Sequence, residues 1–599
     1  MSIRNNVAII YSEASRQAFI TEARNRGQVY QFRGSRETLN WLRGDVAYLA
    51  VNGVASLLRR LSIKFDILGE EECSLELLKE YHTLFIPNAC RLLEQTIATL
   101  EKWLGGDVKL VVSGSTNLPE QLLGIASHSQ YTPEGFCGIK WLLHLRFNPQ
   151  HEDYIFSPPE YPVRVVSSQK DSTILGKLIE YQNIEEVKEG EYLNGDAVVI
   201  GEKTIYFALP IFEYIAGILQ GHICIEPLRK SLGEEGNFYI DTLTWYVKNI
   251  LFHYGHKRLW QTQLKPWGEY DNVLVLRHDT DFSADPSYLE YEIANKIPAT
   301  YAILPDKNRK FYLSRVAPYD FLEGSYHFKS AVSQSWLRGT RPDKKAITEK
   351  GLAEQAEKAK RKHGIHSATL HKHGSAFYYP ETIEAMDYLY ESFPEIIGMG
   401  TMFRFSNIKY SGDATSNESY TVTHPDVSVP FWFPFKMEVS TIEQHKTLRG
   451  WDITHFIEPY PSLIDLIVEN SSKLPEGVYM LGFHPAHARK DTFNPGGDYE
   501  WFRYSLDKAG KYRWWVANYK TVCQRLNNWE ILIFRVIEDG LVMLENPTAG
   551  EISNIVISCG DKLLSVVSDR GEVNFKDNYI HIPMIAARST MEIRYELET

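Results

Sequence analysis

The chain has 599 residues, of which 44% are hydrophobic and 23% are charged, and its formal net charge is −12. One hydrophobic core cannot organise so long a chain, so we expect roughly two to four domains in an ordinary globular protein. The negative charge and the lack of long basic runs argue against nucleic acid as a partner.

The sequence carries no pattern typical of export or membrane insertion. Residues 1–7 lack the apolar stretch of a signal peptide. The most apolar long segment, residues 205–219, is too short for a bilayer and contains Pro210 and Glu213. The 6 cysteines are scattered without a C-x-x-C pair, which argues against a disulfide framework or a cysteine zinc site. We therefore predict a cytoplasmic protein with free thiols and no transmembrane segment.

Strand and helix patterns alternate in the first part of the chain. Short apolar strands are predicted at residues 7–11, 65–68, 83–86 and 110–112, and amphipathic helices at residues 51–61 and 92–104. This order predicts a doubly wound parallel sheet. Residues 120–200 are predicted to be loops with a few strands, followed by a hairpin at 198–207 and a helix at 238–254. Residues 255–271 form the predicted boundary, which gives a first domain at 1–260.

The second part begins at residues 272–281, where a run of branched apolar residues is followed by the polar residues 277–281. Such a run is typical of a buried parallel strand. Because side chains alternate along a strand, Asp279 and Asp281 project to the same side. Two such carboxylates at a strand end can act as a metal ligand and a general base. The structural alternative is that they cap the next helix or pair with the adjacent Arg277.

Further β/α units follow. Strands are predicted at residues 298–304, 321–328, 367–373, 396–405, 429–435 and 478–484, and helices at 344–362, 380–391 and 462–469. About seven such units predict an irregular (β/α) barrel in a domain at 270–528. Polar residues recur at the strand ends: Asp279, Asp281, His327, His371, His373, Arg404 and His484. Since strand carboxyl ends meet at one mouth of a barrel, they predict a functional site.

A helix is predicted at residues 514–528, and the pattern then changes to short strands. These are expected at residues 531–536, 541–544, 552–557, 563–567, 579–582 and 591–595. They predict a small β-sandwich at 530–599. A packing or oligomerisation element and an accessory glycan-binding module are both compatible with it, and a homo-oligomer is left open.

The polar residues of the second part resemble three motifs of the polysaccharide deacetylase (NodB-homology) superfamily. Arg277-His278-Asp279-Thr280-Asp281 resembles the first motif in its HDxD form, Glu323-Gly324-Ser325-Tyr326-His327 the second, and Leu481-Gly482-Phe483-His484 the last. The resemblance implies a hydrolase that removes an N-acetyl group from a sugar or glycan. The roles that it implies are Asp279 as general base, Asp281 and His327 as metal ligands, His484 as the assisting acid and Arg404 as the residue that orients the base.

The chain departs from this family in the second motif. The family has a further His four residues after the position of His327, and here that position is Ala331. His371 or His373 could supply the missing ligand; otherwise the metal site is incomplete and the domain binds glycan without cleaving it. The most expected ion for a His-rich set is Zn²⁺, with iron, cobalt and manganese as alternatives.

The first part resembles class I glutamine amidotransferase-like domains. That family carries a nucleophilic Cys on the sharp turn after a strand. Here the turn after residues 110–112 is Ser113-Gly114-Ser115-Thr116-Asn117, and Cys90 follows an earlier strand without flanking glycines. We therefore predict a non-catalytic domain.

Two other functions remain open from the sequence. One is a metal-free glycoside or amide hydrolase on the same barrel, with Glu323 and Asp452 as acid–base carboxylates. The other is a non-enzymatic protein that binds glycan or assists its assembly.

Overall fold

The structure is a computed structural model, and it describes residues 3–26, 46–134, 136–142, 163–181, 191–213, 215, 239–280, 284–305, 307–329, 349–373, 397–400, 419–422, 431–438, 465, 468, 472, 474, 476–483, 485 and 498–598. Within these residues the protein is mixed α/β, with parallel sheets in its first two parts and antiparallel sheets at the carboxyl end. No helix of the described residues is both long enough and apolar enough to cross a membrane.

The N-terminal sheet contains ten of the described strands. They are β1 (Val7–Tyr11), β2 (Asp66–Gly69), β3 (Thr83–Pro87), β4 (Lys109–Ser113), β5 (Ile125–Tyr131), β6 (Phe136–Trp141), β7 (Val163–Ser168), β8 (Thr173–Tyr181), β9 (Glu191–Ile200) and β10 (Thr204–Phe207). The order β2-β1-β3-β4-β10 is parallel, as the alternating sequence predicts. Strands β9, β7 and β5 then extend the sheet in antiparallel pairings, and β8 pairs with β6 and β9. The predicted parallel sheet is therefore only part of a mixed sheet.

Helices flank the N-terminal sheet and lead out of it. They are α1 (Glu13–Arg26), α2 (Val46–Arg60), α3 (Leu75–Leu78), α4 (Glu94–Trp103), α5 (Glu120–Leu123), α6 (Tyr239–Tyr254) and α7 (Arg258–Gln261), followed by strand β11 (Thr262–Lys265). Strands β1, β3 and β4 have buried apolar side chains on both faces, which is expected for a parallel sheet covered by helices on both sides.

The central sheet holds the strands of the second part. They are β12 (Val273–Asp279), β13 (Ala299–Ile303), β14 (Leu322–Lys329), β15 (Thr369–His373), β16 (Gly398–Gly400), β17 (Ser419–Val422), β18 (Phe431–Glu438), β19 (Val478–Phe483) and β20 (Trp515–Val516). The order is β13-β14-β15-β16-β18-β19-β12-β20, and all of these pairings are parallel. Strand β12 also pairs with β13, so the series of pairings returns to its first strand.

Five described helices belong to this part. They are α8 (Ser287–Asn295), α9 (Arg309–Val316), α10 (Glu349–His363), α11 (Asp498–Lys511) and α12 (Tyr519–Ile531). The prediction of a helix from residue 514 was wrong at its start, because residues 515–516 pair with β12 as β20. Helix α12 begins only after Asn518, whose side chain accepts a hydrogen bond from Thr521 N at 2.9 Å.

The carboxyl end forms two four-stranded antiparallel sheets that share one apolar core. Their strands are β21 (Ile533–Glu538), β22 (Leu541–Asn546), β23 (Ile552–Cys559), β24 (Leu563–Ser568), β25 (Asn574–Lys576), β26 (Tyr579–Ile585) and β27 (Ser589–Leu597). The orders are β11-β23-β26-β25 and β21-β22-β27-β24. Strand β11 comes from the predicted boundary segment, so residues 255–271 supply part of this unit.

Candidate functional site

Strand β12 carries buried polar side chains on both of its faces. Arg277 and Asp279 lie on one face, which we call the inner face, and Asp279 contacts His327 of β14 there. His278 lies on the other face, where its Nε2 is 2.6 Å from Oε1 of Glu292 in α8. All four of these β12 and α8 side chains are buried. Because side chains alternate along the strand, Arg277 and Asp279 belong to one polar cluster, and His278 between them belongs to another on the opposite face.

The register of β12 to β15 brings the inner-face residues together in layers. Asp279 is level with Ala302 of β13, which is level with Ser325 of β14. His327 comes two residues after Ser325 and is level with His371 of β15. Because Ala302 is small, Asp279 can reach across β13 to β14. The carboxyl ends of three strands thus supply one carboxylate and two imidazoles to the same face.

One carboxylate oxygen of Asp279 lies close to both Arg277 and His327. Its Oδ1 is 2.6 Å from Nη2 of Arg277 and 3.5 Å from Nδ1 of His327. Nη2 of Arg277 is itself 3.5 Å from Nδ1 of His327. A guanidinium only donates and a carboxylate only accepts, so the two contacts of Nδ1 favour opposite tautomers of His327. The three side chains form a compact, water-excluded group, which we call the Arg277–Asp279–His327 cluster.

His371 lies beside this cluster and packs against α12. It is fully buried, and its ring centroid is 5.3 Å from that of Tyr519, with an interplanar angle of 62°. The two imidazoles of His327 and His371 are donors of the type that zinc and similar ions prefer. Among the residues that the structure describes, however, no group of three or more His, Cys, Asp or Glu is arranged to hold a metal ion. The two imidazoles fit such an ion in chemistry, and a metal site here would need a third ligand from outside the described set.

Several predicted site residues lie outside the described residues. These are Asp281, Arg404, Asp452 and His484, and the side chain of His373 is likewise outside the description although its backbone belongs to β15. Of the predicted set, the structure therefore brings together Asp279, His327 and His371.

Glu323 lies one layer below and is fully engaged in internal hydrogen bonds. It is level with Thr300, which is level with Arg277. Its Oε2 accepts hydrogen bonds from the Thr300 hydroxyl and the Lys520 amide, each at 2.9 Å, and its Oε1 accepts one from the Thr369 hydroxyl. Burial raises the pKa of Glu323 above its ordinary value, although these donors act in the opposite direction. This carboxyl group joins three strands to the first turn of α12, which is a structural role.

The N-terminal sheet has polar residues at the ends of its parallel strands but no cysteine on the sharp turn. The residue after β3 is Asn88, which has a positive φ of 44° and whose Oδ1 accepts a hydrogen bond from Ser115 N at 2.8 Å. Gly114 occupies the turn after β4 with a φ of 65°. Cys90 lies two residues beyond Asn88 and is half-buried.

Arg277 is the site residue whose role the sequence did not predict. Arg277 lies two residues before Asp279, so both project from one face of the strand, and this spacing is the sequence feature that could have predicted their contact. The sequence offered this pairing only as the structural alternative to a site.

Comparison with known proteins gives matches only among solved structures. No protein-family model and no curated protein matches the sequence. Agd3, described as a novel carbohydrate deacetylase, matches 100% of this chain and 99% of its own, at 10% identity and a TM-score of 0.37. A putative polysaccharide deacetylase involved in O-antigen biosynthesis from Bordetella bronchiseptica matches 44% of this chain and 92% of its own, at 14% identity and a TM-score of 0.23.

A third match is α-L-fucosidase isoenzyme 2 from Paenibacillus thiaminolyticus, at 17% identity and a TM-score of 0.27. It covers 43% of this chain and 34% of that enzyme, so the chain spans about a third of its length. Since all three TM-scores are 0.37 or lower, we base the proposed function on this chain's own residues.

Proposed function

We propose that this chain is a metal-dependent hydrolase that removes an N-acetyl or similar acyl group from an amino sugar or glycan. The observation that carries the proposal is the contact of Asp279 with His327, beside His371, on the inner face of the parallel strands β12 to β15. These are residues that the motif resemblance assigns to a general base and to metal ligands. The carboxyl ends of parallel strands are also where α/β enzymes place their chemistry.

The proposed ligands are His327, His371 and Asp281. A divalent ion held there would polarise the acyl carbonyl and lower the pKa of the attacking water, and Zn²⁺ suits two imidazoles and a carboxylate. Asp279 accepts the proton of that water as general base. His484, which follows β19, returns a proton to the leaving amine. The products are acetate and a free amino sugar.

The surrounding parts have supporting roles in this proposal. The central domain, residues 270–528, is an irregular (β/α) barrel, and the pairing of β12 with both β13 and β19 supports closure. The first domain, residues 1–260, is an amidotransferase-like domain without catalysis, which agrees with Asn88 on the turn after β3. Residues 530–599 are an accessory β-sandwich, and the protein acts in the cytoplasm.

Metal content and acetate release test the proposal together. We expect the purified protein to contain roughly one transition-metal ion per chain and to release acetate from N-acetylated glycans. Asp281→Ala should lose both properties, whereas the control Asp507→Ala, which changes an exposed Asp of α11, should lose neither. Absence of metal in the wild type, even after reconstitution, would contradict the mechanism. Bound metal without turnover on any N-acetylated glycan would instead favour a glycan-binding protein.

A further inference from the structure

The ion pair between Arg277 and Asp279 is formed within a single strand. Both side chains are almost fully buried, and Nη2 of Arg277 is 2.6 Å from Oδ1 of Asp279. Two residues of separation place them on the same face, so no other element has to move for the pair to form. The rigidity of the strand therefore fixes the distance between guanidinium and carboxylate.

We propose that Arg277 is the residue that positions the general base Asp279, a task that the motif resemblance assigns to Arg404. This inference rests on the proposed function. A guanidinium is charged at every physiological pH, so it compensates the buried carboxylate permanently. The contact of its Nη2 with Oδ1, made from the rigid plane of the guanidinium, also fixes the direction of the carboxylate.

Arg277 also contacts His327 in the same cluster. Nη2 of Arg277 is 3.5 Å from Nδ1 of His327, and Oδ1 of Asp279 is equally far from that nitrogen. Arg277 therefore lies against the base and a proposed metal ligand at once. The side chains that orient a base or a ligand commonly matter roughly 10- to 100-fold for activity.

The test compares two substitutions of Arg277 with a matched remote pair. Arg277→Lys keeps the charge, and Arg277→Met removes it. The control is Arg59→Lys, because the buried Arg59 forms an ion pair with the half-buried Glu530, in which Nε donates to Oε2 at 3.0 Å, away from the cluster. For each variant we would measure kcat and KM for acetate release, bound metal and the midpoint of thermal unfolding.

We expect kcat to fall roughly 10- to 100-fold in Arg277→Lys and further in Arg277→Met, with KM and bound metal unchanged. Arg59→Lys should keep the wild-type kcat. In an Asp279→Asn background, Arg277→Lys should cause no further loss, because residues that act through one another are not additive. A purely structural role would lower activity in both backgrounds.

Four results would overturn the inference. Equal kcat values for Arg277→Lys and Arg59→Lys, or additive losses with Asp279→Asn, would remove Arg277 from the reaction while leaving the proposed function intact. Loss of metal in Arg277→Lys would assign Arg277 to the metal site instead. Absence of acetate release by the wild type would reject the proposed function itself, and the inference with it.

Discussion

The parallel strands of the N-terminal and central sheets both end in buried polar side chains, but the two sets differ in chemistry. The N-terminal sheet presents Asn88 after β3 and Glu213 after β10. The central sheet presents Asp279, His327 and His371 at the ends of β12, β14 and β15. An amide and a single buried carboxyl do not make up a set of metal ligands, whereas two imidazoles and a carboxylate offer both proton transfer and coordination. The position at a strand end is thus common to both sheets, and the donor types distinguish them.

The largest expected effect follows from Asp279→Asn, which keeps the shape of the side chain and removes the base. Acetate release should fall roughly 10²- to 10⁴-fold, while bound metal stays at the wild-type level because Asp279 is not a proposed ligand. The measurement is kcat together with metal content. The matched control is Ser113→Ala, at the end of β4 in the N-terminal sheet, which should leave both unchanged. Activity close to that of the wild type in Asp279→Asn would show that Asp279 is not the general base.

A second substitution set separates the two histidines of β15. His327→Ala and His371→Ala should both lose bound metal, because their backbones are level on adjacent strands and both side chains are buried. His373→Ala, two residues further along β15, should retain more metal than either. Metal titration by a colorimetric chelator would measure the difference. Loss of metal in His373→Ala with full retention in His371→Ala would place the site one layer higher.

The end of β12 could be predicted from the sequence because its apolar run stops abruptly at Arg277, His278 and Asp279. The sequence does not reveal the order of parallel strands in a sheet. All of them end at the same edge, however, and this was enough to group Asp279 with His327 and His371. The ion pair with Arg277 could not be chosen in the same way. Spacing places Arg277 and Asp279 on one face, but the carboxylate of Glu323 lies on that face too, level with Arg277.

The hairpin predicted at residues 198–207 is confirmed by the antiparallel pairing of β9 with β10, whereas the bounds of β5 could not be predicted. Six of the seven residues in β5 are at least partly exposed, so the strand has no hydrophobic period to recognise. Its hydrogen bonds with β7 define it, and those depend on chain segments far apart in sequence. The start of α12 was misplaced because Trp514 and Trp515 are compatible with helix or strand, and the cap at Asn518 decides.

Glu213 gives a pH-dependent prediction for the N-terminal sheet. Burial raises its pKa from an ordinary value of 4.5 to about 8, and the nearby Asn88 amide offsets this only in part. Between these two pH values the folded protein keeps a proton that the unfolded chain releases, so the free energy of unfolding falls as pH rises through this window and levels off above it. Glu213→Gln is neutral throughout and should be more stable than the wild type near pH 8, by on the order of a few kcal/mol.

Hydrogen exchange of peptides from β3 and β10 would measure this effect locally. Wild type and Glu213→Gln would be compared at the same pH, near pH 5 and near pH 8. We expect the variant to protect these strands better only at the higher pH, and acetate release to be unchanged at both. Equal protection at both pH values would contradict the raised pKa, and a loss of acetate release would link the N-terminal sheet to the reaction.

The smallest expected effect is that of Glu323→Gln, which tests whether every buried carboxyl of the central sheet takes part in chemistry. Both oxygens of Glu323 accept hydrogen bonds, from the Thr300 and Thr369 hydroxyls and from the Lys520 amide at the start of α12. Glutamine keeps the shape but turns an NH₂ group toward one of these donors, which should cost roughly 1–3 kcal/mol of stability. It also weakens the favourable placement of an acidic group at the N-terminus of α12.

Denaturant unfolding and kcat per folded molecule would be measured for Glu323→Gln beside Glu292→Gln, the same substitution at a buried carboxylate on the opposite face of β12. We expect both variants to lose stability and to keep the wild-type kcat, since neither carboxyl contacts the Arg277–Asp279–His327 cluster through a described hydrogen bond. A hydrolase without metal that used Glu323 as its acid would lose activity in Glu323→Gln alone. The pair therefore distinguishes a carboxyl group that holds strands together from one that transfers a proton, although both are buried in the same sheet.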